Sequence, residues 1–245
     1  MNALRAFWRL GRALAHALSG LATIVREFPR LDAAQREQRV QLWAQEMLAV
    51  LGIRLEVRGI PPVRGPMLLV ANHISWLDIL VMHAARHCRF VAKAEVRHWP
   101  LVGRLASGGG TLYIERESRR DALRVVHHMA ECLRAGEVLA VFPEGTTSDG
   151  TSLLPFHANL LQAAISANAP ALPLALSFVD TATRAPSRAP AYVGDDSLVG
   201  SVWRTLTAPP LTAIVTYGEP QFALGLERRQ WAARLREAVK TVRDA

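Results

Sequence analysis

The chain has 245 residues, half of them hydrophobic, which is enough for one sizeable core and long for a minimal domain. Its net charge of +8 and its pI of about 10.6 indicate an anionic partner: nucleic acid, a phospholipid surface or a phosphorylated substrate. With only two cysteines, Cys88 and Cys132, the composition argues against a disulfide framework and for a reducing compartment.

The first thirty residues predict an amphipathic helix. Its two faces carry Arg5, Arg9 and Arg12 on one side and, mostly on the other, Phe7, Leu10, Leu14, Leu18 and Leu21. This pattern is typical of a helix lying in a membrane interface, and its apolar part, residues 13–25, is too short to span a bilayer. A secretory signal and an ordinary core helix are the alternative interpretations. We expect an interfacial helix over residues 1–32, followed by one domain over residues 33–245.

From residue 33 onward, helical and strand patterns alternate along the chain. Apolar spacing predicts helices over 33–51, 76–85, 118–135, 158–168 and 227–243. Short apolar runs predict strands over 53–57, 67–70, 89–93, 111–114, 138–142 and 172–178, with 211–217 as an edge strand and 181–190 as an exposed loop. This rhythm predicts an α/β domain whose central, largely parallel sheet is flanked by helices.

His73 and Asp78 lie where the strand 67–70 passes into the helix 76–85. Five residues on an ideal helix turn through about 500°, so the two side chains meet only if His73 precedes the first turn. Asp78 would then hold one imidazole nitrogen while the other faces a cleft, as a general base requires. Alternatively, Ser75 and Asp78 form a capping box, and the two interpretations can coexist.

Two further stretches stand at predicted strand ends. Glu144 and the backbone amides of Gly145 and Thr146 follow the fifth strand, at the sheet edge where ligands gather in α/β folds. A Pro-Glu-Gly turn is the alternative there. Arg116 follows the fourth strand and could bind a phosphate bidentately, although such arginines are more often simply solvated.

Taken together, these stretches resemble the glycerolipid acyltransferases, of which bacterial 1-acylglycerol-3-phosphate acyltransferase is the best-known type. The motif N-H-x-x-x-x-D is matched by Asn72, His73 and Asp78. The motif Gly-x-x-aromatic-Ile-x-Arg is matched by Gly110, Tyr113, Ile114 and Arg116, and F-P-E-G-T-x-S by residues 142–146 and Ser148. A proline-containing strand at 170–173 and an intervening segment with Lys93 and residues 99–103 also agree in order. The likeness covers about residues 40–220, with a motif core at 53–220.

The resemblance implies acyl transfer from acyl-CoA or acyl carrier protein to a lysophospholipid hydroxyl, without a metal, another cofactor or a covalent intermediate. His73 would remove the hydroxyl proton, and Asp78 would orient the imidazole. Other residues implied to contact substrate are Asn72, Lys93, Gly110, Arg116, Glu144, Gly145 and Thr146. The expected location is the cytoplasmic face of the inner membrane, with the bilayer, the acyl donor and the lysophospholipid as partners.

One departure from the resemblance concerns the acceptor. Thr147 stands where the family commonly has an arginine thought to hold the acceptor's phosphate, and Lys93 and Arg119 are the candidates to replace it. We expect 1-acyl-sn-glycerol 3-phosphate as the acceptor, with lyso-ornithine lipid as the alternative.

Other functional classes find little support in the sequence. His83 with His87, and His128 with Cys132, are spaced four apart but lack nearby third and fourth ligands, so we expect no metal site. A basic nucleic-acid-binding protein would need an aromatic and basic platform that is not evident, so no nucleic-acid partner is expected. G-x-S-x-G and P-loop motifs are absent.

Overall fold

The computed structural model describes residues 3–115 and 119–245, and the chain opens with a helical hairpin. Helix α1 (Ala3–Arg26) leads through a short 3-10 turn (Phe28–Arg30) into helix α2 (Ala33–Leu51). A capping box at Asp32 starts α2, and Gly52 in the left-handed conformation, with φ of 74°, ends it. The predicted boundaries of α2 are confirmed.

The described residues then contain seven strands and six further helices. In chain order they are β1 (Ile53–Arg58), β2 (Met67–Ala71), α3 (Leu77–Ala85), β3 (Arg89–Lys93), α4 (Val102–Gly108), β4 (Leu112–Ile114), α5 (Arg119–Arg134), β5 (Val138–Val141), α6 (Gln162–Ala167), β6 (Ala171–Asp180), α7 (Leu198–Thr207), β7 (Leu211–Tyr217) and α8 (Arg228–Asp244). A short 3-10 helix, Ala94–His98, follows β3.

All seven strands form one sheet in the order β1-β7-β6-β2-β5-β3-β4. Neighbouring strands are parallel except β6 and β7, which are antiparallel. The predicted edge position of residues 211–217 is wrong, because β7 lies between β1 and β6. Its residues are buried along nearly the whole strand, whereas β1 at the actual edge is largely exposed.

Helices cover both faces of this sheet, and strand β2 shows why. Leu68 and Val70 pack on the face covered by α5, α6 and α8, whereas Leu69 and Ala71 pack on the face covered by α2, α3 and α7. All four side chains are fully buried. A strand covered on both sides needs a continuous apolar run, which is the pattern seen in the sequence.

The predicted α/β architecture with a mostly parallel sheet is confirmed, but three helical details differ. The predicted helix 158–168 is shorter, at Gln162–Ala167, and helices α4 and α7 were not predicted. The α7 segment contains a glycine and several β-branched residues, which have low helix propensity, so its helix depends on burial of residues such as Thr205 and Leu206.

Helix α1 packs on the domain through small residues and leaves large apolar ones outside. Ala6, Ala17 and Gly20 are its buried positions, and a side chain at Gly20 would meet Trp43 Nε1 at 2.6 Å. Facing outward are the apolar residues Leu4, Phe7, Trp8, Leu10, Leu14, Leu18 and Val25. An ordinary core helix would bury its large side chains, so that interpretation does not fit α1.

The three N-terminal arginines do not act as one group. Arg9 lies over Gly52 at the end of α2, and burial, followed by the nearby charge of Arg5, lowers its pKa. Arg12 instead covers the Trp8 ring at 4.6 Å. Among the described residues, no helix is both long and apolar enough to cross a bilayer.

Candidate active site

The carboxyl ends of three neighbouring parallel strands meet at one edge of the sheet. Strand β5 pairs with β2 on one side and with β3 on the other. The loop after β2 carries His73, the loop after β5 carries Glu144, and β3 ends at Lys93. Parallel strand order therefore brings together residues that are far apart in sequence.

His73 contacts Asp78 as predicted, with 2.8 Å between Nδ1 and Oδ2. Asp78 is fully buried, and its Oδ2 also accepts the backbone N–H groups of Ile74 at 2.7 Å and Ser75 at 2.9 Å. A carboxylate in this position makes Nδ1 the protonated nitrogen, which leaves the lone pair on Nε2. His73 is thus held in the tautomer that a general base needs.

The capping interpretation also holds in part. Asp78 accepts the Ser75 N–H as a capping box requires, while Ser75 Oγ accepts the N–H of Leu77, the first residue of α3, at 3.2 Å. The same carboxylate oxygen therefore caps the turn and orients His73. This arrangement fixes the imidazole at the start of α3.

The imidazole ring of His73 also stacks on Phe142 and borders a large cavity. The two rings are stacked with their centroids 4.0 Å apart and their planes 11° apart. His73 lines a cavity of about 1080 Å³, which extends beneath the hairpin of α1 and α2. Its walls are mainly apolar, with Trp43, Leu80 and Leu105 among them, so the cavity can hold a long apolar group beside a base.

Glu144 is buried and braces the loop rather than facing the cavity. Its Oε1 accepts the His73 N–H at 2.8 Å, and its Oε2 accepts the Leu154 N–H at 2.8 Å. Burial raises the pKa of Glu144, and the two backbone donors, Leu154 and His73, oppose that rise. Glu144 therefore supports the His73 backbone, and its predicted contact with substrate stays a prediction.

Arg236 of α8 extends this brace. Its guanidinium donates to the carbonyl of Leu153 at 2.7 Å and to that of Leu154 at 3.1 Å. The last helix of the chain is thus connected through Leu154 and Glu144 to the backbone of His73. Neither Leu153 nor Arg236 belongs to a recognisable motif, so sequence reasoning missed this connection.

Two other residues predicted to contact substrate, Asn72 and Gly110, have structural partners in this structure. Asn72 is buried, and its amide exchanges two hydrogen bonds with the backbone of Leu176 on β6, at 3.0 and 2.7 Å. Gly110 is not among the cavity-lining residues that the structure describes, and its carbonyl accepts Arg89 Nε at 2.7 Å. Its φ of 80° favours glycine, which explains the residue without a ligand.

Three predicted contacts do line the cavity, namely Lys93, Gly145 and Thr146. Arg116 lies outside the described residues. Thr147, which stands at the position of the missing cation, donates its hydroxyl to the Tyr192 carbonyl, so that hydroxyl is engaged.

Sequence reasoning also missed several lining residues near His73. Tyr192 and His157 line the cavity from loops without a motif, and Trp76 lines it from the turn before α3. The Tyr192 N–H donates to the Ile74 carbonyl at 3.0 Å, which ties its loop to the His73 turn.

Comparison with known proteins gives concordant matches. A family model described as Acyltransferase matches residues 54–177. A lyso-ornithine lipid O-acyltransferase of Pseudomonas aeruginosa is 36% identical over 229 residues, covering 93% of this chain and 87% of that protein. A 1-acyl-sn-glycerol-3-phosphate acyltransferase of Neisseria gonorrhoeae is 39% identical over 183 residues, covering 74% of this chain and 71% of its own length.

A solved structure shares the fold. The 1-acyl-sn-glycerophosphate acyltransferase of Thermotoga maritima superposes with a TM-score of 0.73 at 23% identity, covering 98% of this chain and 94% of that one. The N-terminal hairpin and the mixed sheet are included in this overlap, because so little of either chain is left out.

Proposed function

Because this chain belongs to the Acyltransferase family, we propose that it transfers a fatty acyl group from an acyl-CoA or acyl carrier protein thioester to the free hydroxyl of a lysolipid. The observation that carries the mechanism is His73, whose Nδ1 is held by Asp78 while its ring borders the cavity. The large apolar cavity supports a fatty acyl substrate.

In the proposed reaction, His73 Nε2 removes the proton from the acceptor hydroxyl as that oxygen attacks the thioester carbonyl. The resulting tetrahedral intermediate collapses, the C–S bond breaks, and the imidazolium returns its proton to the thiolate. Products are the ester and a free thiol, so atoms and charge balance without a metal, cofactor or acyl-enzyme. Asp78 stabilises the positive imidazolium between the two steps.

For the acceptor, we propose 1-acyl-sn-glycerol 3-phosphate, with lyso-ornithine lipid as the second candidate. Relatives named for each acceptor resemble this chain to a similar degree. The second candidate is favoured by Thr147, because its hydroxyl is engaged by Tyr192 where a cation would serve a phosphate. Losing one charge-assisted bond, worth about 1.5–3 kcal/mol, weakens phosphate capture by roughly one to two orders of magnitude.

One assay tests both proposals. Purified wild type and His73→Ala are given one acyl donor and, separately, each acceptor, and ester formation is measured. We expect His73→Ala to lose at least about a hundredfold in kcat with both acceptors, because the base is removed. The control is His127→Ala, whose side chain is largely exposed on α5. Near-normal transfer by folded His73→Ala would refute the mechanism.

The two acceptors are distinguished in the same assay by Arg116→Ala. We expect this variant to impair transfer to the phosphate acceptor more than transfer to lyso-ornithine lipid. A guanidinium pairs strongly with a phosphate dianion, and lyso-ornithine lipid has no phosphate. Wild-type transfer to lyso-ornithine lipid alone would overturn the phosphate assignment and leave the role of His73 intact.

We also propose that α1 attaches the enzyme peripherally to the cytoplasmic face of the inner membrane. Its outward apolar residues, including Leu4 and Trp8, would enter the interface, and exposed Arg5 and Arg12 would lie near anionic head groups. A lipid acceptor supports this placement, because residues of the same helix line the cavity.

A further inference from the structure

His83, on the buried side of α3, carries a polar ring into the wall of the cavity. The residue is 7% exposed, lines the cavity, and makes no hydrogen bond within the part of the chain that the structure describes. Its Nδ1 is buried without a partner. Nε2 also has no hydrogen-bond partner among the described residues and is not fully enclosed, so it is the nitrogen that a group in the cavity can reach. Buried polar groups are nearly always paired, so this imidazole beside a cavity points to a partner that enters with the cavity's occupant.

A row of rings connects His83 to the proposed base. His73 stacks on Phe142, Phe142 stacks on Phe90 with centroids 5.8 Å apart and planes 14° apart, and Phe90 meets His83 edge-on at 5.0 Å. All four residues line the cavity. An acyl chain whose carbonyl lies at His73 and which follows this wall passes two phenyl rings before it reaches His83.

The imidazole of His83 is neutral at physiological pH. Burial lowers its pKa to about 3, and the neighbouring His87 ring contributes to the same shift. A neutral imidazole offers one N–H donor and one nitrogen acceptor. A hydroxyl group can both donate and accept, so it pairs with Nε2 in either tautomer, whereas an anion only accepts and pairs with one tautomer.

Space beside Nε2 is left free by a glycine. An added Cβ on Gly109 would lie 3.4 Å from His83 Nε2, and Gly109 also lines the cavity. Glycine at this position therefore leaves the Nε2 side of the ring open to a small polar group. The other ring contacts are His87, which stacks on the imidazole, and Phe90, which meets it edge-on.

We propose that His83 is a binding site for a hydroxyl group carried partway along the acyl chain that occupies the cavity. This inference rests on the proposed function, because it takes the chain to start at His73. The hydroxylated chain could belong to the thioester donor or to the lysolipid acceptor, and the chemistry of recognition is the same for both.

The test compares acyl thioesters of one chain length that carry no hydroxyl or a single hydroxyl at successive positions. For the wild type we expect kcat/KM to be about two- to tenfold higher for one mid-chain position than for the unsubstituted chain, the effect of one neutral hydrogen bond. His83→Phe should abolish this preference, and His83→Gln, which keeps a donor and an acceptor, should retain part of it.

The matched control is His87→Phe. His87 stacks on His83 with centroids 5.2 Å apart but is not among the described lining residues, so the preference should survive its replacement. A second arm places the hydroxyl on the acceptor's acyl chain; a preference in that arm alone supports the site and assigns the cavity to the acceptor.

Two results would overturn the proposal. One is a wild type that shows no preference for a hydroxyl at any position in either arm; the other is a His83→Phe enzyme with the wild-type preference. Failure of the proposed function looks different, because no acyl thioester would then be transferred to either acceptor.

Discussion

Helix α1 and the loop that carries His73 line the same cavity, but different interactions hold them in place. Around His73, directional hydrogen bonds dominate: Asn72, Asp78 and Glu144 are buried, and each bonds to backbone or imidazole groups at 2.7–3.0 Å. Helix α1 instead packs through small residues such as Gly20, and its large apolar side chains face outward.

This difference matches two chemical demands. Proton transfer requires atoms fixed within hydrogen-bond reach, which a network of paired buried groups supplies. Holding a flexible apolar chain requires only an apolar surface of complementary shape. The small residues through which α1 packs leave room for such a chain in the cavity. Changes in the His73 loop should therefore affect the chemical step, and changes on α1 should affect lipid contact.

The largest expected effect follows from replacing Asp78 with asparagine. The shape of the side chain is kept, but an amide stabilises the imidazolium less and can favour the wrong imidazole tautomer, so kcat should fall by about 10²–10⁴. Steady-state kinetics measures kcat, and circular dichroism checks that the variant is folded. Asp244→Asn at the end of α8 is the control, and a folded Asp78→Asn enzyme with near-normal kcat would separate Asp78 from the mechanism.

A smaller effect is expected for Glu144→Gln. One of the two backbone N–H groups, of His73 or Leu154, then faces an amide N–H₂ instead of an oxygen, so the loop shifts and kcat falls by about tenfold with little change in KM. A matched change at Glu137, which pairs with Arg89 away from His73, should leave kcat unchanged.

The raised pKa of Glu144 adds a pH test to the same pair of enzymes. Because the folded-state pKa lies above the ordinary 4.5, protonated Glu144 is favoured in the folded state. The stabilisation of the fold by protonated Glu144 is fully present below pH 4.5, and it is lost as the pH rises through the raised pKa of the folded state. Urea unfolding from pH 4 to 8 should therefore show the wild type losing stability relative to Glu144→Gln with rising pH; an unchanged difference would contradict the shift.

Sequence reasoning predicted the local parts of this site and missed the distant ones. The contact between His73 and Asp78 was predictable because both residues lie in one strand-to-helix connection, where they meet once His73 precedes the first turn of the helix. The structural partner of Asn72 is Leu176, 104 residues away on β6, so only the sheet order could reveal it. The structural role of Asn72 was therefore not predictable without the topology, and its predicted contact with substrate stays a prediction.

The sheet itself shows the same limit. Apolar runs predicted most strands to within two residues, since burial on both faces demands continuous apolar sequence. Their spatial order was not encoded locally, so β7 was wrongly given an edge position. Tyr192 was missed because its backbone, through the Ile74 carbonyl, attaches its loop to the site.

The smallest effect on the chemical step is expected for the outward face of α1. Replacing Leu4 and Leu14 with serine removes two exposed side chains that make no contribution to the His73 loop. Transfer of each leucine from water to an apolar phase is worth up to about 1.5–3 kcal/mol, so even partial insertion makes the double variant bind vesicles at least about tenfold more weakly. The kcat on detergent-dispersed substrate should stay within about twofold. Leu123→Ser on α5, on the opposite side of the sheet, should alter neither quantity.

Sedimentation with anionic vesicles measures binding, and point variants are preferable to deleting residues 1–30, because α1 also lines the cavity through Ala17 and Gly20. Unchanged vesicle binding by the double variant would show that another surface attaches the enzyme to lipid.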